Sequence, residues 1–371
     1  MDTIIVTLSR EALPRSGGGE EERTPYPEVL ARAGEILRLG GLVAFPTETV
    51  YGLGGNALDK EAARKIYAAK GRPSDNPLIV HIADREELDG LVSEVPPMAD
   101  RLMEAFWPGP MTLILKKKPV IPDETTGGLR TVAVRMPSDP VAAALIRAAK
   151  VPIAAPSANL SGRPSPTRAE HVIEDMRGRI EMILDGGPVG IGLESTIIDC
   201  TGEEPVILRP GYVSREMLEE LFDRVSVDPA SVGPTGEGEH PKAPGMKYRH
   251  YAPEAALTLF EGESRAVTER IRARVAEDVR NGRRVGIIAA DETKTDYPEG
   301  IVRSIGSRRN VETVAHNLFA VLREFDDLGV EAIYSESFSP EGIGQAVRNR
   351  LTKASGYRIV RVDGPSTYPA E

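Results

Sequence analysis

The chain has 371 residues, 27% charged and 40% hydrophobic, an ordinary globular balance over a length that suits two domains better than one core. Its formal net charge of −10 argues against a broad nucleic-acid footprint, so any anion it handles must meet a local cationic pocket. One cysteine, Cys200, excludes a disulfide framework and a cysteine-based zinc site, and suits a reducing compartment.

Along the chain, Met1-Asp2-Thr3-Ile4-Ile5-Val6 lacks the basic start and long apolar run of a signal peptide. No later stretch reaches the roughly 18 apolar residues of a membrane span, so a cytoplasmic protein with no membrane partner is expected. Ser16–Glu22 reads as a flexible surface loop. Strands are expected at 41–45, 78–82, 111–115, 131–136, 152–155, 182–184, 196–199 and 206–208. Helical periodicity falls at 60–69, 98–106, 141–150 and 168–176. Helices between strands argue for an α/β sheet covered on its faces, and the short gaps after 115 and 184 require some antiparallel pairs. Residues 228–253 are rich in proline and glycine with no apolar period, and read as a linker. Beyond it, strands at 256–260, 284–290, 301–305, 332–335 and 357–362 accompany helices at 265–281 and 310–328. That order predicts a smaller doubly wound, Rossmann-like domain.

The sequence holds no G-x-x-x-x-G-K-[ST], H-E-x-x-H or G-x-S-x-G motif. Gly52-Leu53-Gly54-Gly55-Asn56-Ala57 formally fits a dinucleotide fingerprint. However, Pro46 to Tyr51 separate it from the preceding strand, so a turn or close backbone approach to a ligand is expected instead. Lys70-Gly71-Arg72-Pro73-Ser74-Asp75-Asn76-Pro77 combines two cations with two prolines that stiffen the backbone, a shaped loop suited to a nucleotide or other small anion. Pro46-Thr47-Glu48-Thr49-Val50-Tyr51 places hydroxyls, a carboxylate and a phenol past a strand end. Ala155-Pro156-Ser157-Ala158-Asn159 places a hydroxyl and an amide there, unless they only close an ST- or Asx-turn. Ser195, Arg135 and Arg209 sit in comparable places, Ser165 adds a hydroxyl in a loop stiffened by Pro164 and Pro166, and His81 closes an apolar strand where a core role competes with a catalytic one. Polar groups at several strand ends suit a ligand crevice in an α/β sheet.

Lys70-Gly71-Arg72 with Ser157-Ala158-Asn159, Pro46–Leu53, Trp107-Pro108-Gly109-Pro110 and Leu208-Arg209-Pro210-Gly211 resemble the YrdC-like threonylcarbamoyl-AMP synthases. Lys247-Tyr248-Arg249-His250-Tyr251-Ala252-Pro253 and the α/β tail resemble the long, two-domain form. The resemblance implies a catalytic domain over 1–225, a linker over 226–254 folding across the active site, and a small α/β domain over 255–371. It implies synthesis of L-threonylcarbamoyladenylate from L-threonine, bicarbonate or CO2 and ATP, with release of pyrophosphate. By motif position, threonine contacts fall to Thr49, His81, Arg135, Ala155 and Ser195. ATP contacts fall to Arg72, Asn76, Thr131, Ser157, Ser165, Arg209 and Tyr248, and a catalytic role to Lys70, Arg72 and Asn159. Mg2+ is expected on ATP and not on protein ligands. A separate transferase complex is expected to use the product on tRNA, which this chain meets only indirectly. The rival expectations are an RNA-binding module without chemistry and a carbamoyl-transfer subunit for another acceptor.

Overall fold

The computed structural model describes residues 1–10, 26–233, 241, 243–244 and 250–362. The expected loop at Ser16–Glu22 and the expected ATP contact Tyr248 lie outside the described residues. The chain divides into two compact units. The first comprises Met1–Ser161, Ser165–Gly190 and Glu194–Tyr248; the second comprises Gly162–Pro164, Ile191–Leu193 and Arg249–Glu371.

The first unit carries strands β1 (Ile4–Thr7), β2 (Val43–Phe45), β3 (Gly52–Asn56), β4 (Ile79–His81), β5 (Met111–Lys116), β6 (Thr131–Arg135), β7 (Ile153–Ala154), β8 (Met182–Asp185), β9 (Thr196–Asp199), β10 (Val206–Arg209) and β11 (Ser226–Val227). They form one sheet in the order β1-β8-β2-β3-β7-β4-β6-β5-β9-β10-β11. The mixture of directions follows connection length: β5 and β6 pair antiparallel, as do β9 and β10, while β4–β6 and β5–β9 are parallel.

Two helices explain how this sheet is covered. In helix Lys60–Lys70 the Asp59 side chain caps Glu61 N, and Gly71 ends the last turn at φ 62°. Its apolar face buries Ala62, Ala63, Ile66 and Tyr67. Helix Pro140–Ala149 starts on a proline, with Asp139 accepting from Val141 N and Ala142 N. The sequence pattern misses helix Pro27–Arg38, whose inner stripe of Leu30, Ala33, Gly34 and Leu37 is half small residues. Smallness has a cause here: a Cβ on Gly34 would lie 2.5 Å from the Ala148 carbonyl oxygen, so the two helices touch backbone to backbone.

Gly52–Asn56 is a strand and not the expected turn. β3 pairs antiparallel with both β2 and β7. Its glycines admit the side chains of neighbouring elements: a Cβ on Gly54 would meet Ile153 Cγ2 at 2.9 Å and Phe45 Cε1 at 2.9 Å. Strand composition misleads at such a site because the absent side chain is the requirement.

In the second unit, β12 (Ala256–Glu261), β13 (Val285–Ala289), β14 (Ile301–Ser304), β15 (Ala332–Glu336) and β16 (Ile359–Arg361) form a wholly parallel sheet. The order is β14-β13-β15-β12-β16. Helix Ser264–Arg280 lays Val267, Ile271 and Val275 against Phe260, Ile287, Ala289 and Tyr334. Helix Gly344–Ala354 was hidden from the hydrophobic pattern because charged residues occupy its inner face: Arg350 is fully buried, with its guanidinium 5.5 Å from the Tyr251 ring. No helix among the described residues is long and apolar enough to cross a membrane.

Gly54→Ala should lower the unfolding free energy by about 1–3 kcal/mol, the usual cost of forcing a methyl into a filled core. Urea denaturation measures it; an unchanged midpoint would show that Ile153 and Phe45 yield freely.

Candidate functional site

The described site lies wholly within the first unit and is organised by the last residue of β6. Arg135 is 4% exposed. Its Nε donates to Gly109 O at 3.2 Å, its Nη1 donates to Thr49 Oγ1 at 2.9 Å, and its Nη2 lies 2.7 Å from Glu48 Oε1. Thr49 is placed by its neighbour, since Thr47 Oγ1 is 2.8 Å from Thr49 Oγ1 and accepts from Thr49 N and Val50 N. A hydroxyl that closes an ST-turn here also positions the guanidinium's partner.

Sheet register supplies the next groups. β5 sets Thr112 opposite Arg135, and Thr112 Oγ1 is 2.7 Å from Ser195 Oγ at the entry to β9. Arg209, ending β10, donates to Ser195 O from Nε and to Ser195 Oγ from Nη2, both at 3.1 Å. Its Nη1 reaches Pro244 O at 3.4 Å, while Ala243 packs beside Leu208, Ile79 and Ile197. This part of the expected linker therefore lies against the sheet of the first unit. Ser165, fully buried, donates to Glu194 Oε1 at 2.5 Å.

His81 pairs in register with Arg135 across the parallel β4–β6 ladder. It is 3% exposed, edge-on to Phe45, with Nδ1 3.2 Å from Ile79 O. Burial, reinforced by the Arg135 charge, pushes its pKa down to about 3, so the imidazole is neutral at physiological pH. A neutral ring can donate or accept a hydrogen bond without adding charge.

A second group of residues forms around Lys70, which is 2% exposed. Its Nζ donates to Ser157 O and Asn159 O, each at 2.5 Å, with Asn159 Oδ1 at 3.5 Å. Ser157 Oγ donates to Asn159 Oδ1 at 2.6 Å. The ammonium thus straps the 157–159 loop onto the helix end, where a cation is also favoured by the helix dipole. Arg72 turns back on its own loop, donating to Asn76 O at 3.4 Å and Pro77 O at 3.1 Å. Asn76 is 1% exposed, and its Oδ1 has no hydrogen-bond partner among the described residues. Ala155 spends its N–H on Ile79 O at 2.8 Å.

The two groups are joined through Ala158 N donating to Tyr51 O at 2.8 Å, because Tyr51 lies two residues beyond Thr49. Thr131 stands apart. It begins β6, four residues or ~13 Å of strand from Arg135, beside Lys116 of β5. Sequence reasoning did not assign Thr112, Glu48 or Glu194. Thr112 carried one signal, a hydroxyl inside the otherwise apolar run Met111–Leu115.

Fold and site together define an α/β protein whose strand ends bring together guanidinium, hydroxyl and neutral imidazole groups. A Sua5/YciO/YrdC family model described as "Telomere recombination" matches residues 35–211, and one described as "Threonylcarbamoyl-AMP synthase, C-terminal domain" matches 213–356. The threonylcarbamoyl-AMP synthase of Bacillus subtilis (strain 168) is 50% identical over 343 residues, covering 92% of this chain and 97% of the relative. That of Pyrococcus abyssi is 50% identical over 330 residues, covering 89% and 95%. The crystal structure of P. abyssi Sua5 complexed with L-threonine superposes with a TM-score of 0.88 at 47% identity, covering 97% of this chain and 100% of that one. The chain belongs to the two-domain threonylcarbamoyl-AMP synthase family.

The buried imidazole has a consequence for pH. Below the ordinary histidine value of 6.5 the unfolded chain binds a proton that folded His81 refuses until about pH 3. Its contribution to stability is therefore complete above 6.5 and declines as pH falls through that window. Asp139, raised by burial from 3.8 to about 6, has the opposite sign: its contribution is present below 3.8 and lost as pH rises through 6. Comparison of His81→Phe with the parent chain isolates the first effect. The variant should gain on the parent as pH falls from 7 to 5, by up to about 1.4 kcal/mol per pH unit. Parallel urea curves for the two chains at pH 7 and 5 would contradict the neutral assignment.

Proposed function

We propose that this chain synthesises L-threonylcarbamoyladenylate from L-threonine, bicarbonate or CO2 and ATP, releasing pyrophosphate as a nucleotidyltransferase in the cytoplasm. The observation that carries the proposal is the buried network running from Thr49 and Arg135 to Ser195 and Arg209. Two guanidinium groups on one sheet suit the threonine carboxylate and the ATP phosphates, which supports the reading. The names of its full-length relatives support the same reading.

In this mechanism Arg135 takes the threonine carboxylate. Thr49, His81, Ser195 and the Ala155 backbone surround the remaining polar groups of the amino acid. Arg72, Asn76, Thr131, Ser157, Ser165 and Arg209 hold ATP, with Tyr248 contributed by the linker. The amine, once deprotonated, adds to the carbon of CO2 with loss of a second proton, or attacks bicarbonate with loss of water, and an oxygen of the resulting carbamate attacks the α-phosphorus as pyrophosphate leaves. No step needs a covalent bond to the protein. The chain contributes alignment, exclusion of water and fixed positive charge. Lys70 contributes by fixing Ser157 and Asn159, while Arg72 and Arg209 meet the phosphates. Among the described residues no three carboxylate, imidazole or thiol groups gather to form a metal cage. The nucleotide is taken as its Mg2+ complex, with the ion part of the substrate. The labile product passes to a separate transferase complex that acts on tRNA.

Purified protein should release pyrophosphate only when ATP, threonine and bicarbonate are all present; equal release without threonine would defeat the proposal. Arg72→Ala should lower that rate at least ~100-fold, the scale for removing a charge-stabilising donor. Its thermal unfolding should stay close to that of the parent, since Arg72 is only half-buried.

A further inference from the structure

Glu48 has no part in the assignments above, yet it is the acidic partner of Arg135. Its side chain is 14% exposed. Both carboxylate oxygens are sealed from solvent, and neither has a hydrogen-bond donor among the described residues. Oε1 lies 2.7 Å from Arg135 Nη2, close enough for strong attraction, yet the two make no hydrogen bond. An ionised carboxylate can accept about four hydrogen bonds, and enclosing it with none satisfied is costly. Arg135 Nη2 is likewise enclosed and makes no hydrogen bond, with Glu48 Oε1 as its ion-pair partner. A cation and an anion side by side, each with hydrogen-bonding capacity left over, are complementary to a zwitterion. A ligand carrying only negative charge would instead be repelled by Glu48.

We infer that Glu48 is the receptor for the α-ammonium group of the amino-acid substrate, while Arg135 takes its carboxylate. The inference rests on the amino-acid reading of this site. It assigns selection of an amine-bearing ligand to a residue between two threonines that are already fixed by their hydroxyl contact. Glu48 is thereby a specificity-determining residue that touches substrate, and Thr49 sets its position by holding the guanidinium beside it.

The test is equilibrium titration of the full chain with L-threonine and with 3-hydroxybutanoate, the same skeleton without the amine. The parent chain should prefer threonine. Glu48→Gln should weaken threonine binding by about 10–100-fold, the range for losing a charged hydrogen bond, and leave 3-hydroxybutanoate unchanged. Glu48→Asp, which keeps the charge but withdraws it by one methylene, should fall between the two and covers a folding failure of the first variant. Unchanged threonine affinity in both variants would overturn the inference. Equal losses for both ligands would also overturn it, because Glu48 would then act only by holding Arg135. Failure of the parent chain to bind threonine would instead overturn the amino-acid reading itself.

Discussion

The guanidinium of Arg135 is the contact on which the site depends. One planar group reaches two pieces of chain that are distant in sequence: the 47–49 turn, through the Thr49 hydroxyl and the Glu48 carboxylate, and the Gly109 carbonyl. It can do so because β6 runs beside β5 and β4, which bring Thr112 and His81 alongside. A lysine there would offer a point charge with no fork, and could not hold these partners in one plane. Burial raises the stakes. At 4% exposure, each unmet bond to this cation would go uncompensated by water.

The neighbouring histidine belongs to the same electrostatic design. With Arg135 in register beside it and solvent excluded, His81 stays uncharged. A second positive charge next to the first would meet both burial and repulsion. The strand ends thus separate into charged guanidinium groups and a neutral imidazole beside them.

Much of this was legible in the sequence where chemistry and strand ends coincide. Arg135 and Arg209 stood out as polar groups closing apolar runs and Ser195 as one at the start of a run, and register joins them through Thr112. Other features were not legible, for identifiable reasons. β3 was hidden because its glycines are chosen for the side chains they admit, which local composition cannot reveal. Helix Gly344–Ala354 was hidden by Arg350 and Lys353, charges on the face that packs inward. Glu48 was visible as a letter in a motif, but only the enclosure of both its oxygens distinguishes it from a solvated carboxylate. The Lys70 loop attracted notice for its charges, although in the fold the lysine faces backbone carbonyls of its own chain.

That last arrangement gives the molecule a built-in reporter. An ammonium that is 2% exposed and engaged by the carbonyls of Ser157 and Asn159 is shielded from acylating reagents while the loop stays closed. Reactivity at this one amine therefore measures how often the loop lifts from the helix. It offers a chemical clock for the opening of the 157–159 loop, read by peptide mass and independent of any assay of turnover.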